Sequence, residues 1–306
     1  MRKYPVFLMM LLIPFTTALA QPIAVSDLPV GSKLTYRLTG VYVGNKTYEV
    51  VGWSSSEGRR CKLVRVHVQV NASGSFFYKG INSTSEFCYD DRGRPLSEVL
   101  RVPPEFNLSV DRVSITYWWE DEETFPYRTL IQLMGQENTS YEVLLKEGLI
   151  IKRSDGSEVK LKFTGKNLSK VLPFTPERLS EPYLDLSSIR LKEGYEKDFG
   201  TLKVKVISLE NVQTPAGLFP CFKVIITGNT EDGLPYKSTV YVTQSKPRFT
   251  VYYITNIIGI EQTGYLLEAR IPEAKGAISS LYYWLIPLFL AAVAFLLIKK
   301  RKKRGG

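Results

Sequence analysis

The stretch Val64-Arg65-Val66-His67-Val68-Gln69-Val70 decides the fold class, because four valines alternate strictly with polar side chains. Successive side chains of a β-strand point to opposite faces, so this period of two predicts a strand with one buried face. Short alternating runs of the same kind recur along the chain, and Gly, Asn, Asp and Pro interrupt them. The sequence therefore predicts an all-β protein.

Other strands and their turns can be read in the same way. Hairpin turns are predicted at Gly44-Asn45 and at Ser154–Ser157, and a loop is predicted around Asp232-Gly233. The stretch Pro173 to Gly194 is predicted to be a loop with one short helix around Tyr183–Ile189. About a dozen strands joined by short turns predict one large antiparallel sheet, strongly curved or forming an open barrel. The further predicted strands are Lys33–Leu38, Val113–Trp119, Thr129–Met134, Tyr141–Leu145, Lys203–Leu209, Phe249–Ile254 and Gly264–Leu267.

The C-terminal segment predicts a transmembrane helix. Ala277 to Ile298 contains 22 residues without a charge, and the six cations of Lys299–Arg304 follow it at once. At a rise of 1.5 Å per residue the segment spans roughly 33 Å, enough to cross a hydrocarbon core of about 30 Å. Tyr282, Tyr283 and Trp284 stand near its upstream end, where interfacial aromatic residues belong, and the cations indicate a cytoplasmic C-terminus.

The N-terminus predicts export. Arg2 and Lys3 precede an apolar core from Pro5 to Phe15, and Ala18-Leu19-Ala20 is a small-x-small cleavage site. The alternative is an uncleaved N-terminal anchor, for which the apolar core is short. The predicted organisation is a signal peptide at 1–20, an extracellular β domain at 21–276, a transmembrane helix at 277–298 and a basic cytoplasmic tail at 299–306.

Most of the net charge of +10 comes from the two cations of the N-terminal segment and the six of the C-terminal tail. Residues 21–276 hold 32 basic and 30 acidic side chains, so the extracellular part is nearly balanced. A nucleic-acid-binding function is therefore disfavoured. The basic tail is instead suited to anionic membrane lipid.

Six of the nine asparagines stand in Asn-x-Ser/Thr sequons, and most of the six lie in predicted turns. A glycan needs an exposed turn, so these positions are glycosylation candidates, although Asn, Ser and Thr also favour turns for conformational reasons. No sequon lies between residues 170 and 276. The candidates are Asn45, Asn71, Asn82, Asn107, Asn138 and Asn167.

The three cysteines leave two readings open. Cys61 and Cys88 lie on runs that could return beside one another, and a bridge between them would be stable outside the cell. Cys221 would then be a buried free thiol. The alternative is three buried free thiols, and the sequence has no spacing typical of a zinc site.

Few residues of the sequence suggest catalysis. His67 is the only histidine, and it alternates onto the polar face of the valine-rich strand. No G-x-S-x-G, H-E-x-x-H or phosphate-binding glycine loop occurs in the chain, and no residue is singled out as catalytic, cofactor-binding or metal-binding. Paired carboxylates for glycosidic chemistry remain an alternative that sequence cannot place.

One aromatic and acidic cluster stands out: Tyr117-Trp118-Trp119, then Glu120–Glu123, Phe125 and Tyr127. Such residues could stack on a sugar or hold calcium through oxygen ligands. The commoner arrangement is a strand whose aromatic residues pack in the core and whose acids lie in a solvated turn.

Two segments have a similar order of features, Gly31 to Cys61 and Gly194 to Cys221. They indicate either an old duplication, with halves 21–170 and 171–276, or the ordinary rhythm of β-hairpins.

The second segment also carries a family resemblance. Glu210, then Thr214-Pro215-Ala216-Gly217, Phe219, Cys221 and Lys223-Val224 resemble the motif of an uncharacterised family of prokaryotic envelope proteins. Upstream, Leu28 to Tyr36 resembles the opening strand of that family, with its Gly and Tyr. The resemblance implies a curved antiparallel sheet with an apolar hollow, similar to the lipoprotein-carrier half-barrel, and it brings no catalytic residue. The C-terminal anchor and the sequons depart from that family, and the sequons favour an archaeal cell surface.

These observations predict a single-pass membrane protein of the cell surface that is not an enzyme. Its curved sheet is expected to bind a lipid or another hydrophobic ligand close to the membrane, because about ten residues separate Leu267 from Ala277. A structural or assembly subunit of an envelope or transporter complex, with a protein partner, is the main alternative. A membrane-tethered hydrolase is the third hypothesis.

Overall fold

The computed structural model describes residues 27–72, 81–102, 109–120, 126–136, 138–145, 149–161, 191–198, 202–229, 235–257 and 259–272. Sixteen strands run through these ranges as one antiparallel sheet, which confirms the predicted all-β class. Ten strands belong to the first part of the chain: β1 Lys33–Gly40, β2 Tyr42–Ser56, β3 Arg59–Ala72, β4 Ile81–Tyr89, β5 Pro95–Arg101, β6 Val110–Trp118, β7 Arg128–Gly135, β8 Thr139–Leu144, β9 Leu149–Arg153 and β10 Glu158–Leu161. Six follow: β11 Glu196–Asp198, β12 Leu202–Thr214, β13 Gly217–Asn229, β14 Pro235–Thr243, β15 Thr250–Ile257 and β16 Ile260–Arg270.

The sheet consists of two meanders joined at the chain's first and last strands. Its order is β10-β9-β8-β7-β6-β5-β4-β3-β2-β1-β16-β15-β14-β13-β12-β11, so every strand except β1 and β16 pairs only with its sequence neighbours. The seam between the meanders is the antiparallel pair β1–β16, in which Leu38 stands opposite Gly264. Within the described ranges, the outer strands β10 and β11 do not pair with each other, so the sheet that these ranges form is not closed.

The second meander is strongly curved. Cα atoms of β12 come within 8 Å of Cα atoms of β15 and β16. In a flat sheet β12 and β15 would be three strand spacings apart, about 14 Å. The Tyr36 hydroxyl on β1 also donates 2.7 Å to the carbonyl of Thr250 at the start of β15, passing over β16. The concave side, called here the inner face, therefore carries the core.

Alternation of side chains assigns residues to the two faces. Leu34, Tyr36 and Leu38 of β1 are buried, whereas the residues between them are half-buried. One core cluster joins β1–β3 to β12–β16, and a second lies on β6–β9 around Ile115 and Ile131. The decisive valines, 64, 66, 68 and 70, are all at most 5 % exposed, as their period predicts.

The hairpin turn predicted at Gly44-Asn45 is wrong. Both residues lie inside β2, and the turn that joins β1 to β2 follows Gly40, whose φ is +118°. Gly44 is a glycine for another reason, since a Cβ there would collide with the backbone of Gln69 and Val70 on β3. A close strand approach was thus mistaken for a turn signal.

The predicted strands and the turn predicted at Ser154–Ser157 fit the structure better, whereas the loop predicted around Asp232-Gly233 lies outside the described residues. All seven further strands are present, and the Ser154–Ser157 turn joins β9 to β10. The structure also has a two-residue turn at Pro215-Ala216, between β12 and β13. Strands β5 and β11 were not predicted. Most of Pro173–Gly194, including the helix predicted around Tyr183–Ile189, lies outside the described residues.

The strand directions define two ends of the sheet. The stem end is the one at which β16 finishes with Arg270, and it also carries the β2–β3 turn at Glu57-Gly58 and the β12–β13 turn. The opposite, distal end carries the β7–β8 and β9–β10 turns and the β15–β16 turn at Gly259. Both ends follow from strict antiparallel alternation along the chain.

The chain divides by contacts into Met1–Ile271, which includes the whole sheet, and Pro272–Gly306. Within the described residues there is no helix with the length and hydrophobicity that a membrane crossing requires. The predicted transmembrane segment 277–298 and the predicted signal peptide 1–20 both lie outside those residues.

Candidate functional site

Cys61 and Cys88 form a disulfide across the neighbouring strands β3 and β4, with their Cα atoms 5.4 Å apart. Both are at most 4 % exposed, and they cluster with Leu96 and the partly buried Trp119. Cys221 is a buried free thiol on β13, and burial raises its pKa to about 12. A thiol of that kind is a poor nucleophile at neutral pH.

His67 lies on the outer, convex face of β3 and is exposed. Its Nδ1 is 3.1 Å from the Thr84 hydroxyl on β4, its register partner there. The structure thus gives the only histidine a local threonine contact on an open surface. Within the described ranges no group of three or more His, Cys, Asp and Glu side chains is placed to hold a metal ion.

The aromatic cluster at the end of β6 divides between core and rim. Tyr117 is fully buried, and its hydroxyl donates 3.1 Å to the buried carboxylate of Glu98. The Trp119 indole donates 2.7 Å to the Pro95 carbonyl, while the Arg128 guanidinium lies 4.4 Å from the ring centre of Trp118. These contacts are structural, as the commoner interpretation of the cluster expects; residues 121–125 lie outside the described part.

The inner face is densely filled where the structure describes it. Leu34, Val206 and Leu266 in the first core cluster are 0 % exposed, as are Ile131 and Val143 in the second. Side chains that line an open hollow would retain solvent-accessible area, so these residues pack against other protein atoms. The apolar hollow implied by the family resemblance is not present at these positions.

Several polar groups are nevertheless buried on the inner face. Lys46 is 3 % exposed with its ammonium 4.6 Å from the ring centre of Tyr48. Ser238 and Thr255 share a hydrogen bond of 2.9 Å between their hydroxyls. Burial raises the pKa of Tyr36 and of Tyr253 above the ordinary tyrosine value, and for Tyr36 the neighbouring Tyr253 adds to the effect.

The buried hydroxyls of this face that have no hydrogen-bond partner include those of Tyr253 and Thr129. Tyr253 is 1 % exposed and Thr129 is 0 % exposed, so neither hydroxyl reaches solvent. A buried hydroxyl without a partner costs roughly 1–3 kcal/mol. Each hydroxyl is therefore a place where an added polar atom would be favourable.

The structure brings the described sequons together at the distal end. Asn45, Asn82 and the intervening Gln69 stand in one register row across β2, β3 and β4, with Asn71 two residues further along β3. Asn138 lies in the β7–β8 turn, where its side-chain oxygen accepts a hydrogen bond from the Gly135 amide. Asn71, Asn82 and Asn138 are exposed and Asn45 is half-buried. Asn107 and Asn167 lie outside the described residues.

A row of three tyrosines crosses the outer face of the second meander. Tyr241, Tyr252 and Tyr265 are successive register partners on β14, β15 and β16, and all three are half-buried. The rings of Tyr241 and Tyr252 are 5.6 Å apart between centroids. Lys223 on β13 and Arg37 on β1 are the next register partners at either end of this tyrosine row.

The charged end of the tyrosine row is organised by hydrogen bonds. The Lys223 ammonium lies 5.7 Å from the ring centre of Tyr241 and 3.4 Å from a carboxylate oxygen of Glu210. The pKa of Lys223 is raised, first by its hydrogen bond with Tyr241 and then by Glu210. The pKa of Glu210 is lowered, mainly by a hydrogen bond of 2.6 Å from Ser208.

Sequence reasoning did not find the tyrosine row. Each tyrosine stands on a different strand, and only the register between strands brings the three rings together. The available signal was a tyrosine at a polar-face position in each of three consecutive predicted strands. Aligning them requires the strand pairing, which one sequence does not supply.

No family model matches the chain, and no curated protein matches it. Solved structures similar to it include a protein thought to be exported, of YmcC-like fold, from Bacteroides fragilis, with 10 % identity over 80 % of this chain and 97 % of that one, at a TM-score of 0.30. A protein thought to be a lipoprotein from Parabacteroides distasonis has 10 % identity over 81 % of this chain and 99 % of that one, also at 0.30. A β-barrel-like protein of a domain family of unknown function from Brucella abortus has 12 % identity over 80 % of this chain and all of that one, at 0.36. At such TM-scores the likeness carries no functional argument. The function is therefore argued from the residues of this chain.

Proposed function

We propose that this protein is a non-catalytic membrane protein of the cell surface that binds an envelope protein partner through the tyrosine row. A signal peptide at 1–20 would export it, and the segment 277–298 would anchor it with the C-terminus in the cytoplasm. The tyrosine row is the observation that carries the proposal. Tyr and Arg are the side chains most enriched in the energetically dominant centres of protein interfaces.

The filled inner face supports this choice over a ligand-carrying hollow. Core side chains such as Val204 and Val224, at 0 % exposure, stabilise the sheet and leave the outer face for recognition. Tyr241, Tyr252 and Tyr265 offer flat, rigid rings, and Lys223 and Arg37 supply a charged rim on both sides. A partner of matching shape would bury these rings at a small cost in side-chain entropy.

A site-specific photocrosslinker tests the partner surface. The full chain carries the crosslinking amino acid in place of Tyr252, and intact cells are irradiated. We expect a protein adduct of discrete mass that the further substitution Tyr241→Ser weakens. The matched control carries the crosslinker in place of Gln132, which is exposed on the outer face of β7. If the chain stays uncrosslinked both with the photocrosslinker at Tyr252 and with it at Gln132, the proposal is refuted.

The topology has its own test. A single cysteine at Gln136, in the distal β7–β8 turn, is expected to react with a membrane-impermeant maleimide on intact cells. A cysteine at Lys302 is expected to react only after permeabilisation, because positive-inside topology places it in the cytoplasm. The reverse pattern, or release of the chain by alkaline carbonate without detergent, would contradict the anchor.

A lipid or other hydrophobic ligand on the inner face is the second candidate, and the partnerless hydroxyls of Thr129 and Tyr253 favour it. If a ligand satisfies Thr129, native mass spectrometry of the purified chain shows a bound lipid that Thr129→Val diminishes. If no ligand does, Thr129→Val only raises stability, because it removes an unsatisfied buried hydroxyl. Absence of any co-purifying lipid would end this candidate.

A further inference from the structure

The β2–β3 hairpin carries an exposed tryptophan near its tip, beside two cations. Trp53 is 52 % exposed, and the Arg60 guanidinium lies 4.1 Å from its ring centre. Lys62 lies 5.6 Å from the same ring but is itself buried, with its ammonium donating 2.8 Å to the Leu28 carbonyl. Arg60 is therefore the exposed cation that accompanies Trp53.

The hairpin is also held in place by a contact that does not involve Trp53. The Arg59 guanidinium donates 2.9 Å to the Tyr117 carbonyl at the end of β6, and the turn itself is formed by Glu57 and Gly58, both at positive φ. An exposed tryptophan on a rigid hairpin leaves a large apolar area in water, which costs about 25 cal/mol per Å². That area indicates a surface that becomes covered.

The register places this tip beyond the end of β16. Lys33 of β1 pairs with Arg270 on one side and with Glu49 on the other, so Arg270 and Glu49 stand in the same row. Strand β2 continues for seven residues past Glu49, to Ser56. Along an ideal strand this overhang is about 23 Å, and it projects from the stem end.

The sequence limits how far the stem end can stand from a membrane that the chain crosses. Only seven Cα-to-Cα steps separate Arg270 from Ala277, the first residue of the uncharged segment. Fully extended, they span at most about 25 Å. Trp53 lies four residues past Glu49, about 13 Å along an ideal strand. This distance is shorter than the reach of the tether, so a chain anchored at Ala277 allows Trp53 to come to the bilayer surface.

The apolar residues at the stem end agree with this placement. Leu218, next to the β12–β13 turn, is 61 % exposed, and Val30, ahead of β1, is 40 % exposed. The exposed sequons Asn71, Asn82 and Asn138, whose glycans would need open space, stand at the distal end. Among the described residues of the distal end, Ile260 is a comparable apolar side chain, at 59 % exposure.

We propose that the β2–β3 hairpin docks on phosphate-bearing lipid headgroups of the outer leaflet, with Trp53 at the interface and Arg60 on a lipid phosphate. Tryptophan is enriched at this depth because its ring is apolar and its N–H is polar. Arginine binds phosphate oxygens bidentately while its planar face remains stacked on an aromatic ring.

The proposal rests on the membrane anchor of the proposed function, and one experiment separates the two. The full chain is reconstituted in nanodiscs of anionic phospholipid with a spin label at Ser55→Cys, an exposed position of the hairpin tip. A second sample carries the label at Gln136→Cys at the distal end. For each label, the collision rate with oxygen is divided by the collision rate with a polar nickel chelate. We expect this ratio to be several-fold higher for the Ser55 label than for the Gln136 label.

Further variants identify the side chains responsible. In the Ser55→Cys background, Trp53→Ser with Arg60→Ser is expected to return the label to aqueous behaviour, whereas Ile260→Ser leaves it docked. A chain that enters nanodiscs but keeps an aqueous Ser55 label overturns the docking alone. A chain that does not enter nanodiscs overturns the anchor and the docking together.

Discussion

Tyr253 and Gly264 form a cross-strand pair on the inner face that depends on a missing side chain. They are register partners on β15 and β16, and the tyrosine ring covers the glycine Cα. An aromatic ring over a strand glycine restores packing that the glycine lacks. The glycine in turn admits a ring that is 1 % exposed at the seam of the sheet.

We expect Gly264→Ala to lower the free energy of unfolding by about 1–3 kcal/mol, because the new Cβ would overlap the Tyr253 ring. Urea denaturation of the detergent-solubilised chain measures the change. The control is Gly52→Ala, since a Cβ at Gly52 meets no atom within 4 Å. Equal losses in the two variants would show that the ring contact is unimportant.

The Cys61–Cys88 bridge acts mainly on the unfolded chain. It closes a loop with a sequence separation of 27 residues, and such a loop is expected to contribute about 3–4 kcal/mol of unfolding free energy. Cys61→Ala with Cys88→Ala should lose that amount in urea denaturation. A reducing agent should bring the native chain to the level of the variant and leave the variant unchanged; a variant as stable as the oxidised chain would argue against the bridge.

At the scale of elements, the β1–β2 turn is held by a side chain from β16. The Gln262 side chain accepts a hydrogen bond of 2.9 Å from the Tyr42 amide and donates 2.8 Å to the Thr39 carbonyl. It is 5 % exposed, so these bonds are formed away from solvent. Gln262 thus attaches the first hairpin to the last strand, 220 residues away.

Gln262→Ala should therefore cost more than an ordinary polar substitution. It leaves the buried Tyr42 amide without its acceptor, for which we expect a loss of about 2–3 kcal/mol in unfolding free energy. Hydrogen exchange of the Tyr42 amide should accelerate in the same variant. The control Gln132→Ala, at an exposed position on β7, should change neither quantity; if Tyr42 stays protected in Gln262→Ala, another acceptor holds it.

The sequence predicted the individual strands well, but it predicted less well how distant strands pair in the sheet. Alternation at Val64–Val70 and the turn chemistry of Ser154–Ser157 are local signals, and both were confirmed. Gly44 misled because a glycine required by a close strand approach looks like a turn glycine. The β1–β16 seam and the tyrosine row depend on pairing between distant strands, which hydrophobic periodicity does not encode.

At the scale of the whole molecule, the β1–β16 seam couples the stability of the two meanders. Leu34, Tyr36 and Leu266 are at most 1 % exposed and lie on β1 and β16, between the two meanders. The core cluster that contains them draws its residues from both meanders, so the first and last strands must pair before the core is complete. Contacts at such sequence separation are typical of slow-folding β proteins.

Because tyrosines and a thiol fill this core, the fold should be sensitive to alkali. Burial raises the pKa of Tyr42 to about 12, that of Cys221 to about 12, and those of Tyr36 and Tyr253 above their ordinary value of 10.0. Groups with a raised folded-state pKa contribute stability that is complete below the unfolded pKa and is lost as pH rises toward the folded one.

The stability of the chain should therefore be unaffected by these groups below about pH 9 and should fall steadily from there toward pH 12. Each group that stays protonated only in the folded state contributes a slope of about 1.4 kcal/mol per pH unit. Urea denaturation at several pH values measures this slope. Tyr36→Phe, which removes one buried phenol, should reduce the slope above pH 10.5 by about that amount. An unchanged slope would mean that Tyr36 ionises as readily inside the fold as outside it.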